Sequence, residues 1–295
     1  MNAPAAAGDF LAQMAASSRA RVAAARRLQS DEALWARARS APPAPRLQFS
    51  PQGFDLIAEV KLRSPALGAL GSRDTDVAAR VAGYAAAGAA AISVLTEPSR
   101  FDGELEHLAL GVQALAGRAP VMRKDFIVDP YQVAEARLAG AGGVLAILRM
   151  IPPADTAALL AAAAELGLFV LLEAFDEADL ELAADLLRSH QSRALAAQAP
   201  LLVGVNCRDL TTLQVIPGRL EQLAAHLPPG VPRVAESGVE TAADVARLVR
   251  AGYTLALVGG ALMKSSEPQA AVRELLVAGR AAAAESARVR RGASP

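Results

Sequence analysis

Between residues 54 and 258 the chain carries eight short apolar runs, each separated from the next by a longer segment rich in Ala and Leu. The runs are Phe54–Val60, Ala90–Leu95, Pro120–Met122, Val144–Leu148, Leu168–Leu172, Leu201–Val205, Pro232–Ala235 and Leu255–Val258. They are nearly continuous in apolar residues and do not alternate with polar ones. Strands of that texture are buried on both faces, as in a parallel sheet covered by helices. The segments between them carry helix punctuation. Asp129-Pro130 supplies a cap and a proline for the first helical position, and Thr241 with Asp244 reads as a capping box. Gly88, Gly140, Gly167 and Gly252 fall where helices should end. Eight strands alternating with eight helices over about 225 residues predict an α/β protein, a (β/α)8 TIM barrel. A doubly wound sheet is the alternative. It would normally carry a Gly-rich dinucleotide turn after the first strand. Here that strand runs into Glu59-Val60-Lys61-Leu62-Arg63-Ser64-Pro65.

An extra helical segment precedes the barrel. Phe10, Met14, Val22, Leu28, Leu34 and Trp35 recur at helical intervals, and Ala41-Pro42-Pro43-Ala44-Pro45 stops the pattern. The predicted organisation is a helical extension over 1–50, a catalytic barrel over 51–280 and a tail over 281–295. Residues 1–8 are expected to be disordered. A helix over 10–40 with this apolar side needs a surface. It is expected near the C-terminal ends of the strands, with the barrel's bottom or side as the alternative.

Composition excludes several classes. A 53% hydrophobic, 20% charged chain is not intrinsically disordered. Thirty basic residues cancel thirty acidic ones, which argues against nucleic acid or an anionic membrane as a whole-chain partner. No uninterrupted apolar stretch reaches the ~18 residues of a membrane span, and no secretory leader is evident, so the chain reads as cytoplasmic. One cysteine, Cys207, leaves no internal disulfide and no Cys-based metal cage. His107, His190 and His226 lie away from the strand ends, so neither a metal nor a histidine-centred mechanism is expected.

A barrel places its active site at the C-terminal ends of its strands. Read in order, those ends carry Glu59 and Lys61; Thr96-Glu97; Arg123-Lys124-Asp125-Phe126; Arg149; Glu173; Asn206, Arg208 and Asp209; Glu236-Ser237-Gly238; and Gly259-Gly260. Only three of the thirty basic residues are lysine: Lys61, Lys124 and Lys264. Where arginine is the default, a retained lysine suggests a need for a compact or titratable ammonium. Two of the three fall on this face. Glu59 and Glu173 could face the same mouth, where carboxylates beside ammonium groups suit acid–base work or, equally, structural ion pairs. Ser237-Gly238 and Gly259-Gly260 stand where barrels commonly bind phosphate on backbone N–H groups.

These phrases together resemble the indole-3-glycerol phosphate synthases. The resemblance rests on Ile57-Ala58-Glu59-Val60-Lys61 with Ser64-Pro65, Ile92 through Pro98, Arg123-Lys124-Asp125-Phe126-Ile127, Gly204 through Leu210, Ala235-Glu236-Ser237-Gly238 and Leu257-Val258-Gly259. It implies closure of 1-(2-carboxyphenylamino)-1-deoxyribulose 5-phosphate to indole-3-glycerol phosphate, with loss of carbon dioxide and water, in tryptophan biosynthesis. No cofactor or metal is implied. The partner is a phosphorylated small molecule, and the chain is expected to act as a monomer. The resemblance makes Lys124 the general acid, Lys61 a contact for the substrate's charged groups, and Glu173 the base for dehydration. Glu59 and Asn206 orient substrate and stabilise charge, with Glu236 in support. Ser237, Gly238, Gly259 and Gly260 hold phosphate, Arg208 joins the binding set, and Phe101 and Phe126 line the aromatic pocket. Arg63, Ser64 and Pro65 belong to a loop that closes over substrate.

The sequence departs from the family's usual pattern at Ala66, Cys207 and Gly260, and in the loop Leu67–Asp74. The rival readings are another phosphate-binding barrel enzyme of the sugar-phosphate isomerase type, and a catalytically retired barrel serving as a binding protein. The first would not need Lys61 and Lys124 with Glu59. The second would be expected to have lost its acids and bases.

Overall fold

In a computed structural model of the chain, which describes residues 7–43, 45–71 and 75–292, eight parallel strands close into a barrel. They are β1 (Asp55–Val60), β2 (Ala91–Leu95), β3 (Val121–Lys124), β4 (Gly143–Ile147), β5 (Phe169–Ala174), β6 (Leu201–Asn206), β7 (Arg233–Glu236) and β8 (Leu255–Val258). Each pairs with its sequence neighbours. Closure comes from β1 against β8, in register from Asp55 opposite Leu255 to Ala58 opposite Val258. The doubly wound alternative is thereby excluded.

The strand texture has a direct cause. Alternate residues such as Ile57, Met122, Leu145, Leu171, Leu202 and Leu257 fill the barrel interior. Their neighbours, among them Leu56, Ile92, Val144, Val170 and Val203, pack beneath the surrounding helices. Both faces are apolar, so the runs do not alternate. The strands β3, β5, β6 and β7 continue past their apolar runs to Lys124, Glu173 with Ala174, Asn206 and Glu236, because their C-terminal ends reach the cleft.

The helices begin and end on the predicted signals. Asp129 accepts from the Tyr131 amide at 2.9 Å and Pro130 opens α6 (Pro130–Leu138). Thr241 and Asp244 form the capping box of α10 (Ala242–Ala251), which ends on Gly252 at φ 106°. The last helix, α12 (Pro268–Gly292), runs across residue 280 as one element, with Leu275, Leu276 and Ala282 buried. Its Arg280 donates to the Phe54 carbonyl at 3.2 Å and pairs with Asp55 at 3.4 Å, beneath the start of β1.

The extension forms two helices where the periodicity suggests one. They are α1 (Ala7–Leu28) and α2 (Asp31–Ser40), with Ser30 capping α2 by accepting from the Ala33 amide. The predicted disorder of 1–8 falls largely on residues 1–6, outside the described residues. Of the loop Leu67–Asp74, residues 72–74 also lie outside them. The two helices answer the placement question differently. Helix α2 packs along the barrel's side against α6, whereas the first turns of α1 reach the mouth, where Phe10 and Leu11 line the cleft.

What holds α1 there is a ladder of contacts to one short segment. Phe10 meets the Phe126 ring edge-on at 5.9 Å. Ser18 donates to the Phe126 carbonyl. Arg21 grips both oxygens of Asp125, at 2.9 and 2.7 Å, and Arg26 both oxygens of Asp129 at 2.9 Å. Asp125 also accepts from Thr96 Oγ1 at 2.8 Å and Arg123 at 3.0 Å. Burial alone would raise the Asp125 carboxyl, but the Arg21 hydrogen bond and the Arg123 and Arg21 charges bring it down to about 2.

The folded-state pKa of Asp125 is depressed below its ordinary 3.8, so its stabilisation is present above that pH and lost as pH falls through about 2. Acid titration of unfolding should show about 2 kcal/mol disappearing across that window, and Asp125→Asn should abolish this component. The substitution should also cost about 3 kcal/mol near neutrality, read from the urea midpoint, because it strips a buried charge partner from two arginines.

Candidate active site

One cleft at the C-terminal ends of the strands collects the sequence-predicted residues. Glu59, Lys61, Ser64, Pro65, Phe101, Lys124, Phe126, Glu173, Asn206, Arg208, Glu236, Ser237, Gly238, Gly259 and Gly260 all line it. Arg63 does not. It stands exposed on a small hairpin (Arg63–Ser64 with Gly68–Ala69), 3.8 Å from Asp102. Ser64 turns inward and accepts from the Leu67 amide at 3.0 Å. Lys264 is exposed at the end of α11 (Gly260–Lys264) and takes no part in the cleft.

The polar floor comes from β1, β3, β5, β6 and β7. Lys124 Nζ lies 3.2 Å from Glu236 Oε2 and 3.8 Å from Glu173 Oε2. Lys61 Nζ is 2.7 Å from Glu59 Oε1. Asn206 donates to Glu173 through its side-chain amide and accepts from the Arg208 amide at 3.0 Å. Glu59 Oε2 and Glu236 Oε1 are buried without a hydrogen-bond partner, so this floor has acceptor capacity to spare for a ligand.

The titrating groups are pushed apart. Burial works to lower the Lys124 ammonium, but the charges of Glu173, Glu236 and Glu59 outweigh it and raise its pKa well above the ordinary lysine value. Burial would raise Glu59, and the Lys61 and Lys124 charges instead hold it below the usual carboxylate range. Burial pushes Glu236 up to about 8, against the pull of Lys124 and with the repulsion of Glu173. The floor thus sets a strengthened Lys124 ammonium and an ionised Glu59 beside a Glu236 carboxyl that burial drives toward its neutral form. Separated acid and base states of this kind are what proton-transfer chemistry requires.

Two glycines make the room, Gly204 within β6 and Gly259 just past the end of β8. A Cβ on Gly259 would stand 2.4 Å from Glu59 Oε1, and one on Gly204 would stand 2.2 Å from Glu236 Oε1. Each carboxylate leans over the neighbouring backbone because no side chain stands there. Gly204 was visible in the sequence only as part of a matching phrase.

At one end of the cleft, Ser237 (φ 66°) and Gly238 (φ 63°) are consecutive left-handed residues that turn the chain after β7. Cys207 donates its thiol to the Ser237 carbonyl at 3.3 Å, and burial pushes that thiol up to about 11, so it stays neutral and fastens the turn. Gly259 caps the five-residue α11. At the other end the wall is apolar. Phe101 and Phe126 are 6.0 Å apart, and Phe10, Leu145, Ile147 and Phe175 complete it. Sequence reasoning did not assign Phe10 or Phe175 to the site. Phe175 was legible, since it lies two residues past Glu173, just beyond the C-terminal end of β5. Phe10 was not, because its helix reaches the mouth only through tertiary contacts. Among the described residues, no group of three or more His, Cys, Asp or Glu side chains could hold a metal ion, and no helix is long and apolar enough to cross a membrane.

Comparison with known proteins agrees with this geometry. Residues 11–275 match the family model described as indole-3-glycerol phosphate synthase. The indole-3-glycerol phosphate synthase of Salinibacter ruber is 41% identical over 237 residues, covering 80% of this chain and 82% of its own. That of a Nocardioides species is 45% identical over 234 residues, covering 79% and 84%. That of Mycolicibacterium smegmatis is 40% identical over 263 residues, covering 88% and 91%. Among solved structures, 3-hexulose-6-phosphate synthase aligns with a TM-score of 0.55 at 21% identity, covering 78% of this chain and 99% of that one. Thiamine phosphate pyrophosphorylase from Pyrococcus furiosus aligns with a TM-score of 0.53 at 16% identity, covering 78% and 98%. At those identities the two structures share the barrel fold alone.

The left-handed turn generates a prediction. A Cβ on Gly238 would lie 2.9 Å from Val215 Cγ1 and 3.2 Å from Cys207 Sγ, at a φ that L-residues resist. Gly238→Ala should displace the turn and raise KM for a phosphorylated substrate roughly tenfold, with kcat within about twofold. Steady-state kinetics on the purified variant checks this, and an unchanged KM would place the phosphate elsewhere.

Proposed function

The chain belongs to the indole-3-glycerol phosphate synthase family, and from that membership we propose how its residues divide the work of the family's reaction. The reaction closes 1-(2-carboxyphenylamino)-1-deoxyribulose 5-phosphate to indole-3-glycerol phosphate, releasing carbon dioxide and water, in tryptophan biosynthesis. It makes the enzyme a decarboxylating carbon–carbon lyase. The observation that carries the assignment of roles is the Lys124 ammonium set between Glu173 and Glu236, with an aromatic wall at one end of the cleft and a glycine turn at the other.

Ring closure needs the ring carbon bearing the carboxylate to attack the substrate's ketone carbon. Negative charge then builds on the ketone oxygen, and Lys124 is the proton donor to it. A donor already charged and desolvated gives its hydrogen bond most strongly where charge develops. Loss of carbon dioxide returns the electron pair of the breaking bond to the ring system. Departure of the former ketone oxygen as water then requires a proton on that oxygen and removal of one from the substrate, and Glu173 is the base for this step. Asn206 orients Glu173 by its amide hydrogen bond. Lys61, paired with Glu59, meets the substrate's charged groups, and the free acceptors of Glu59 and Glu236 orient its hydroxyls. Ser237, Gly238, Gly259, Gly260 and Arg208 hold the phosphate. Phe101 and Phe126 hold the ring. Ser64 and Pro65 cover the bound substrate, with Arg63 joining when their loop closes. The first turns of α1 cover the same mouth and help to exclude water. The enzyme acts as a monomer in this reading, and a formal net charge of zero gives no electrostatic reason for membrane attachment, which supports a cytoplasmic enzyme.

Lys124→Arg keeps the positive charge but enlarges the donor and removes its ability to give up a proton. It should lower kcat about 10²-fold or more, followed by the indole fluorescence that appears on ring closure. Near-normal turnover in that variant would remove Lys124 from the acid role.

A further inference from the structure

Arg149 is a strand-end residue that the reaction leaves unused, and it is not among the residues lining the cleft. It lies two residues past the end of β4 and is engaged by two carboxylates and a ring. Its Nε donates to Asp179 Oδ2 at 2.8 Å, its Nη2 lies 2.7 Å from the same oxygen, and Nη2 also pairs with Asp176. Its Cζ stands 5.0 Å from the centroid of the Phe175 ring. Asp179 Oδ2 in turn accepts from the Phe175 amide at 2.8 Å. Arg149 therefore holds Phe175 twice, by its ring directly and by its backbone through Asp179.

Phe175 is 3% exposed and lines the cleft, one residue past the end of β5 and two beyond Glu173. It packs in one apolar cluster with Phe126, Leu145 and Ile147. Strand order puts Ile147 between them, with Phe126 beyond β3 on one side and Phe175 beyond β5 on the other. These three side chains form an arc of the apolar wall. A ring already fixed by a stacked guanidinium has little rotamer freedom left to lose when a ligand arrives. An arginine that served only to join β4 to α8 (Glu177–Ala196) would need no contact with a cleft-facing ring.

We propose that Phe175 is a specificity-determining wall of the subsite for the substrate's carboxyphenyl ring, and that Arg149 is its positioning residue. The proposal rests on the ring-closure reading above and adds a third aromatic side to the pocket formed by Phe101 and Phe126. The grip needs a planar guanidinium, because an ammonium cannot engage Asp176 and Asp179 together while stacking on the ring.

The test is steady-state kinetics by indole fluorescence on the wild type, Phe175→Leu, Arg149→Met, Arg149→Lys and the Phe175→Leu/Arg149→Met double variant, with a thermal melt of each. Phe175→Leu should raise KM roughly three- to tenfold while kcat stays within about twofold. Arg149→Met should raise KM in the same direction, and the double variant should be no worse than the more affected single one, since both act through one ring. Arg149→Lys should resemble Arg149→Met, and it carries the test if Arg149→Met does not fold. An unchanged KM in Phe175→Leu, multiplied effects in the double variant, or wild-type behaviour of Arg149→Lys would each overturn the proposal. So would melts that shift while KM does not. A wild-type enzyme that forms no indole product would overturn the ring-closure reading and this proposal with it.

Discussion

An ammonium group withdrawn from water must be met by opposite charge, or it gives up its proton. Lys124 is in that position at the end of β3, and much of the mouth is arranged around it. Glu173 and Glu236 meet it from across the barrel, at 3.8 and 3.2 Å. Those carboxylates then need space and partners of their own. Gly204 yields the space for Glu236, and Asn206 donates to Glu173. Burial and the repulsion of Glu173 push the Glu236 carboxyl up, against the pull of Lys124.

The segment that carries Lys124 is held from outside the barrel. Asp125 adjoins the lysine and turns away from it, into a nest of Arg21, Arg123 and Thr96. Two neighbouring residues thus belong to two charge networks, one facing substrate and one facing α1. Arg21 and Ser18 tie α1 to Asp125 and Phe126, the two residues that follow Lys124.

The barrel was legible because its cause is repetitive. Both-face burial writes the same apolar run eight times, and caps such as Asp129 and Thr241 act within a few residues of themselves. Lys61 and Lys124 were legible for a different reason, the contrast with a background of arginine. What the sequence hid were contacts between distant residues. Ser30 breaks the extension into two helices because its side chain caps α2, a local event that apolar periodicity does not register. Phe10 reaches the cleft only because Arg21 and Arg26 tie α1 to residues 104 and 103 positions away. Arg63 adjoins the matching Ser64-Pro65 yet stands exposed beside Asp102, since alternation on its hairpin buries Ser64 instead.

The closure of the barrel also has a consequence for biosynthesis. The chain emerges from the ribosome amino end first, so Glu59 and Lys61 are made early. Yet β1 finds one of its two neighbours only when β8 has been synthesised, and Glu59 leans over Gly259, some two hundred positions later in the chain. The start of β1 is then pinned by Arg280, from the final helix. A nascent chain that has passed Glu173 but not yet reached β8 carries Lys124 and Glu173 with a gap where the barrel should close. The half of the mouth that includes Glu59 and the glycine turns takes shape only once β7, β8 and the helix that carries Arg280 have been made.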